Sequence, residues 1–331
     1  MSKPKVFVTA PIDDRIHAQL AELCKVSQWT GIGRCPVEVA EKELADAEGL
    51  VGYLQFPASL MDKSPRLRVI ATSSVGFDHV DVAAATQRGI LVTHTPDVLT
   101  DTTADLAFTL MLTVARRVGE AERLTRAGRW GKGVDSGNLL GRDVHHATLG
   151  IVGLGRIGAA VAERGLGFHM KVLYFDFVRR EDLEKKFGYQ FVDLDTLLRE
   201  SDFVSLHVPL LAETKGMMGD AQFALMKPTA YFINAARGPI VNERALIDAL
   251  REGKIAGAGL DVFEKEPVDP ENPLLKMENV VTLPHIGSAT IATRWAMAEL
   301  AAKNALAVLR GQPPLTPVNP EVLPRLRKAG Y

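Results

Sequence analysis

The segment Thr148-Leu-Gly-Ile-Val-Gly-Leu-Gly-Arg-Ile-Gly158 constrains the fold more than any other part of this 331-residue chain. Leu149 to Val152 is an apolar run that reads as a buried parallel strand, and Ala159 to Arg164 favours a helix. Between them Gly153, Gly155 and Gly158 fall in G-x-G-x-x-G spacing. The first glycine allows a tight turn, the second lets backbone approach a pyrophosphate, and the third lets the helix pack on the strand. The free N–H groups at the start of that helix would then face an anion. An ordinary βα turn can also carry glycines, so the surroundings decide. A second strand, Lys171 to Phe175, ends in Asp176, 18 residues after Gly158, where a carboxylate would meet an adenosine ribose hydroxyl. Strand, glycine loop, helix, strand and acid in this order predict a dinucleotide site.

The rest of the chain has the same rhythm. Strands are expected at Val6–Thr9, Gly49–Leu54, Arg68–Thr72 and Ile90–Thr93, with a helix from about Ile16 to Leu23. A long helix starts at Thr100 or Asp101 and runs through Arg117. After a polar, glycine-rich stretch from Gly128 to His146, strands recur at Asp202–His207, Ala230–Asn234, Ala258–Val262 and Val280–Leu283. Ser288 is the expected N-cap of a last helix that runs to about Arg310 and stops at Gly311. Met297, Leu300, Ala301, Leu306 and Leu309 of that helix are candidates to cover a core. Alternating strands and helices imply parallel sheets covered on both faces. The reading is an α/β chain of two doubly wound parallel-sheet domains. Residues 1–100 and 289–331 form a substrate domain, and an inserted dinucleotide-binding domain spans 101–288. The two crossings would form a hinge over a cleft.

Composition excludes several classes. The net charge is −1, which gives no electrostatic case for nucleic acid or a membrane surface. The apolar stretch Leu106–Ala115 is too short to span a bilayer. The start of the chain shows no signal-peptide core, so a cytoplasmic location is the expectation. Cys24 and Cys35 have no metal-ligand company and read as structural thiols; no metal is expected.

Three segments place titratable groups at strand ends. Phe232-Ile-Asn-Ala-Ala-Arg-Gly238 carries Arg237, whose planar fork can grip a carboxylate or serve a structural ion pair. Gly259-Leu-Asp-Val-Phe-Glu-Lys-Glu-Pro267 carries Asp261 and an acidic loop with Glu264 and Glu266. Leu283-Pro-His-Ile-Gly-Ser288 carries His285. An Arg, a Glu and a His on loops at one edge of one parallel sheet suit acid binding, proton transfer and orientation of the His.

These motifs, with Pro284-His-Ile-Gly-Ser-Ala-Thr290, resemble those of the D-isomer-specific 2-hydroxyacid dehydrogenases along essentially the whole chain. Ser74-Val-Gly-Phe-Asp78, Thr95-Pro-Asp-Val-Leu-Thr-Asp-Thr-Thr-Ala104 and Pro317-Val-Asn319 are most similar to the glyoxylate/hydroxypyruvate reductases. The resemblance implies a Rossmann cofactor domain inserted into a flavodoxin-like substrate domain. It implies Arg237, Glu266 and His285 as the catalytic set, and the N–H groups around Val75 and Gly76 as holders of the substrate carboxylate. Thr103, Arg156, Ile157, Val208, Pro209, Thr214, Ala235 and Asp261 join Gly153, Gly155, Gly158 and Asp176 as implied cofactor contacts. The implied reaction reduces a small 2-oxo acid to the D-2-hydroxy acid with a reduced nicotinamide, in a homodimer formed through the cofactor domain. Oxidation of 2-ketogluconate or phosphite, or an NAD(H)-sensing role like that of the corepressors sharing this fold, are the alternatives. Asp176 favours NAD(H), since a 2′-phosphate would face its charge, while Arg179 and Arg180 leave NADP(H) open. Two departures stand out. The stretch Gly131–Asn138 lacks tryptophans usual in this subgroup, with only Trp130 at its edge, and His146 occupies a position where glycine is common.

Overall fold

The computed structural model describes residues 3–132 and 136–324, which fall into two compact units. One is built from the residues before Thr100 together with those from Ser288 onward, and the other from Thr100–Gly287.

The first unit contains β1 (Lys5–Val8), α1 (Asp14–Leu23), β2 (Lys25–Gln28), α2 (Val37–Leu44), β3 (Gly49–Gly52), α3 (Ala58–Asp62), β4 (Val69–Thr72), α4 (Val82–Gln87) and β5 (Leu91–Thr93). Its five strands are all parallel, in the order β2-β1-β3-β4-β5. That is the flavodoxin-like winding. Alternation along the strands explains the layering. Phe7, Leu50, Ile70 and Val92 face a core with Ala40, Leu44 and Leu60 of the helices. Val6, Val51, Val69 and Leu91 face the opposite layer.

The second unit follows with α5 (Thr100–Ala115), α6 (Val118–Arg126), β6 (Thr148–Val152), α7 (Arg156–Gly167), β7 (Lys171–Phe175), α8 (Glu181–Phe187), β8 (Gln190–Phe191), α9 (Leu194–Glu200), β9 (Phe203–Leu206), α10 (Asp220–Leu225), β10 (Tyr231–Asn234), α11 (Glu243–Arg251), β11 (Gly257–Leu260) and β12 (Val280–Thr282). Its seven strands are parallel in the order β12-β11-β10-β9-β6-β7-β8. The chain starts mid-sheet at β6, winds outward through β7 and β8, then returns to β9 on the other side of β6. This is the Rossmann winding, and its switch point between β6 and β9 is where such sheets bind ligands. The predicted buried character of β6 holds: Leu149, Ile151 and Val152 are fully buried, on two different cores.

The last helix, α12 (Ile291–Leu309), belongs to the first unit and lies against β3, β4 and α1. Met297, Ala301 and Leu306 are buried as expected, with Leu309 packed at the core edge. Its cap differs from the sequence reading. Thr290, not Ser288, accepts from the N–H of Thr293, because the helix starts at Ile291, two residues later than a Ser288 cap would place it. The long helix also ends early. Arg117 takes a left-handed φ of 51°, which breaks the helix after Ala115 and starts α6, where a continuous helix through Arg117 was expected. No described helix is long and apolar enough to cross a membrane. His146 sits at φ 61°, in the left-handed region that favours glycine. Of the Gly131–Asn138 stretch, residues 133–135 lie outside the described residues.

Candidate active site

The glycine loop joins β6 to α7. Gly153 has φ 97°, and a Cβ there would lie 2.8 Å from both the backbone nitrogen and Cγ1 of Val208. A Cβ on Gly158 would come 2.0 Å from the Gly153 carbonyl oxygen. Both are therefore required by the packing of the chain on itself. Gly155 is different: it caps α7, it is exposed, and nothing lies within 4 Å of where its Cβ would stand. The open space over Gly155 and the N–H groups of the first turn of α7 suit a pyrophosphate, so the loop fits a dinucleotide. Arg156 and Ile157 open that turn, exposed and half-buried respectively.

Asp176 follows β7 immediately. Its Oδ2 accepts from the Leu154 N–H at 2.7 Å and its Oδ1 from the Val178 N–H at 3.2 Å, so the acid is bound to the glycine loop itself. Arg179 and Arg180 are both engaged. Arg179 makes a two-point contact with Glu184 at 2.9 Å, and Arg180 makes one with Asp182 at 2.8–2.9 Å. Glu184 also accepts from the Tyr174 hydroxyl at 2.7 Å. The Arg179 guanidinium, then this hydroxyl, hold the Glu184 carboxyl down at about 2. Burial, then the hydrogen bond to Glu184, pushes the Tyr174 phenol up to about 12.

The remaining expected cofactor contacts lie at or near carboxyl ends of strands or in α5. Val208 is buried beyond β9, and Pro209 is exposed beside it. Thr214 is buried, its hydroxyl donating to the Pro209 carbonyl at 2.6 Å and accepting from the Leu211 N–H at 2.8 Å, so it pins the loop that carries Pro209. Ala235 follows β10, half-buried, and Thr103 is buried in α5, close to Gly287. His207, which the sequence did not single out, shares a hydrogen bond of 2.8 Å with the Ser205 hydroxyl. Desolvation of its ring pushes the imidazole down to about 3, so it is neutral.

Arg237, Glu266 and His285 lie beyond the carboxyl ends of β10, β11 and β12, three adjacent strands. β10 stops at Asn234, three residues before Arg237. The buried Asn234 shapes the turn between them: its side chain donates to the Arg237 carbonyl at 3.0 Å and accepts from the Ala236 N–H at 3.0 Å. The Arg237 guanidinium is half-buried and donates to the Ala236 carbonyl at 2.8 Å. Gly238 then passes directly against the backbone of Phe263 and Glu264, so the turn carrying Arg237 rests on the loop carrying Glu266.

His285 meets Glu266 through its Nδ1, 2.7 Å from Oε2. The other carboxylate oxygen, Oε1, accepts from the Phe263 N–H at 3.3 Å. His285 has φ 56°, a left-handed conformation that costs a non-glycine residue about 1–2 kcal/mol. Asp261 offsets this. Its carbonyl takes the His285 N–H at 2.9 Å, and its fully buried carboxylate takes those of Ile286 and Gly287 at 2.7 and 2.8 Å. Burial raises the Asp261 carboxyl above its ordinary range, against the pull of those two N–H groups and of His285. Asp261 is thus placed to fix the loop of His285. Nothing in its spacing announces that; the signal is an acid at the end of a fully buried strand.

Residues 108–287 match the family described as D-isomer specific 2-hydroxyacid dehydrogenase, NAD binding domain. The chain belongs to the D-isomer specific 2-hydroxyacid dehydrogenases. Among its relatives is a glyoxylate reductase of Korarchaeum cryptofilum, 49% identical over 99% of each chain. Of solved structures, TT0316 from Thermus thermophilus is 44% identical with a TM-score of 0.88, covering 95% of this chain and 99% of that one. An NADPH-dependent glyoxylate/hydroxypyruvate reductase from Sinorhizobium meliloti, solved with NADP and malonate, is 37% identical with a TM-score of 0.85 over 96% and 97%. This dehydrogenase is accordingly a nicotinamide-dependent oxidoreductase that reduces a 2-oxo acid.

Proposed function

We propose that the dehydrogenase reduces glyoxylate and hydroxypyruvate, with Arg237, Glu266 and His285 as its catalytic set. The observation that carries the reading is the 2.7 Å contact between His285 Nδ1 and Glu266. A carboxylate only accepts, so Nδ1 bears a proton, and Nε2 is left to serve the substrate. The nicotinamide supplies the hydride when bound. His285, as imidazolium, gives its Nε2 proton to the oxygen of the 2-oxo group as that oxygen gains charge, and Glu266 stabilises the cation until the transfer. Arg237 pairs with the substrate carboxylate and polarises the neighbouring carbonyl. The N–H groups of Val75 and Gly76 are a second candidate anchor for a substrate carboxylate. The likeness to glyoxylate reductases supports a small substrate.

Gly155, Arg156 and Ile157 would hold the phosphates of the cofactor, and Asp176 would take its adenosine ribose. NADH is preferred. A 2′-phosphate would meet the Asp176 carboxylate, and the two arginines able to offset it are already paired with Glu184 and Asp182. The assembly is a homodimer through the cofactor unit. Val118, Trp130 and Leu140, at or after the start of α6, are 50%, 75% and 76% exposed, which suits burial by a second copy. Initial rates with a panel of 2-oxo acids, each against NADH and NADPH, test the reading. Fastest turnover of glyoxylate or hydroxypyruvate with NADH supports it, and absence of turnover with every acid overturns it.

A further inference from the structure

The turn after β4 is tied down through its carbonyls. Three successive carbonyls, those of Ser74, Val75 and Gly76, are each taken by a donor of the first unit. Ser74 O accepts from the Thr95 N–H at 2.8 Å, Gly76 O accepts from the Ser74 hydroxyl at 2.6 Å, and Val75 O lies 2.8 Å from Nδ1 of His94. In a trans peptide the C=O and the N–H point in opposite directions. Fixing the carbonyls of Ser74, Val75 and Gly76 therefore aims the N–H groups of Val75, Gly76 and Phe77 the other way. Successive N–H groups presented together make an anion-binding concavity.

From this we infer that His94 is a positioning residue for substrate: its Nδ1–H clamps the Val75 carbonyl and so holds the Gly76 N–H on the carboxylate of the 2-oxo acid. The inference rests on the reading that the turn at Val75 and Gly76 binds that carboxylate. A carbonyl only accepts, so the proton of a neutral His94 must be on Nδ1. His94 is itself held firmly. Its N–H donates to Thr316 O at 3.2 Å, and its carbonyl accepts from the Thr316 hydroxyl at 2.6 Å. Asn304, fully buried in α12, donates to that hydroxyl at 2.7 Å and accepts from the N–H of Leu315 and Thr316. The Phe77 ring meets the imidazole edge-on, with centroids 5.7 Å apart. The C-terminal helix thus reaches the carboxylate turn through Thr316 and His94.

Three variants and one spectrum test this. His94→Leu removes the donor at similar bulk, and His94→Asn keeps an N–H one bond beyond Cγ, where Nδ1 stands. Gly76→Pro removes the N–H expected to touch substrate. Oxalate serves as the probe, with NADH affinity and melting temperature as checks of integrity. The expected result is that His94→Leu weakens oxalate and raises the KM for glyoxylate by about five- to tenfold, the worth of one neutral hydrogen bond, with little change in kcat. His94→Asn should bind oxalate like the wild type, and Gly76→Pro should bind it weakly. Wild-type oxalate affinity in His94→Leu, with weak binding by Gly76→Pro, overturns the role of His94 and keeps the turn. Wild-type affinity in both variants overturns the turn as a carboxylate site. Should either substitution prevent folding, a 15N spectrum of histidine-labelled wild type still decides, with the His94 signal identified by its loss in His94→Asn. A neutral His94 protonated on Nδ1 supports the inference, and one protonated on Nε2 refutes it.

Discussion

Replacing Gly238 with Ala probes the joint between the Arg237 turn and the Glu266 loop. A Cβ at Gly238 would lie 1.8 Å from the Phe263 carbonyl oxygen, 1.9 Å from its carbon and 2.5 Å from the Glu264 nitrogen. A carbon needs roughly 3.3 Å from a carbonyl oxygen, so one backbone must retreat by about 1.5 Å. Every obstructing atom is backbone, and no rotamer change relieves the clash. Overpacking of this kind costs about 1–3 kcal/mol, or about 2–12 °C in Tm for a unit of this size. The effect on rate should be larger than the effect on stability. The retreat separates Arg237 from the loop that carries Glu266, and Glu266 orients His285. A misplacement of about 1 Å in such a constellation costs on the order of 10²-fold in turnover. The glycine loop lies at the end of β6, two strands away from β10, so NADH affinity should fall less than turnover does, any loss coming through Ala235 and Asp261 beside the joint. Steady-state kinetics with glyoxylate, NADH fluorescence titration and thermal melting measure the three quantities. A folded Ala variant with wild-type kcat would refute the claim that this joint sets the catalytic geometry.

Other variants follow from the same geometry. Arg237→Lys keeps the charge but loses the fork, so the KM for glyoxylate and the inhibition constant for oxalate should rise by on the order of tenfold or more, read by initial rates. Asp176→Ser removes the carboxylate that opposes a 2′-phosphate, so the ratio of kcat/KM with NADH to that with NADPH should fall. Glu184 is held at about 2 against an ordinary 4.5, so its contribution to stability is complete above pH 4.5 and lost as the pH falls through about 2. Chemical denaturation should then show a gap between wild type and Glu184→Gln that is constant above pH 4.5 and closes toward pH 2. A gap that widens on acidification would contradict the pairing.

The parts legible in the sequence were those whose physics is local. The spacing of Gly153, Gly155 and Gly158 announces a strand-to-helix turn because each glycine answers to atoms a few residues away or to the ligand. The apolar runs of β6, β9 and β10 are buried on both faces and read as strands without help from neighbours. Two edge strands are harder to see. β2 is Lys-Val-Ser-Gln and β8 is Gln-Phe, neither carrying the apolar run that marks the other two edges, β5 and β12. The break at Arg117 was missed for a different reason: a single left-handed residue interrupts a composition that otherwise suits one helix. At the site, Arg237, Glu266 and His285 stand out as titratable groups just beyond strand ends, and the Glu266–His285 contact joins two of them. Asn234, Asp261 and His94 act by holding backbone. Their partners are decided by strand adjacency and by the return of α12, which no local pattern encodes. Glu184 as the partner of Arg179 was likewise hidden, since Glu181 and Asp182 lie nearer in the chain.

In the proposed reduction the nicotinamide gives hydride to the 2-oxo carbon and His285 gives the proton to its oxygen. The most direct test is glyoxylate-dependent oxidation of NADH by wild type and His285→Ala at saturating cofactor, with NADH binding measured on both. The wild type should turn over, and the variant should lose about 10²–10⁴-fold in kcat, the usual worth of a general acid, at unchanged NADH affinity. A His285→Ala enzyme that binds NADH and turns over as fast as the wild type would contradict that role of His285.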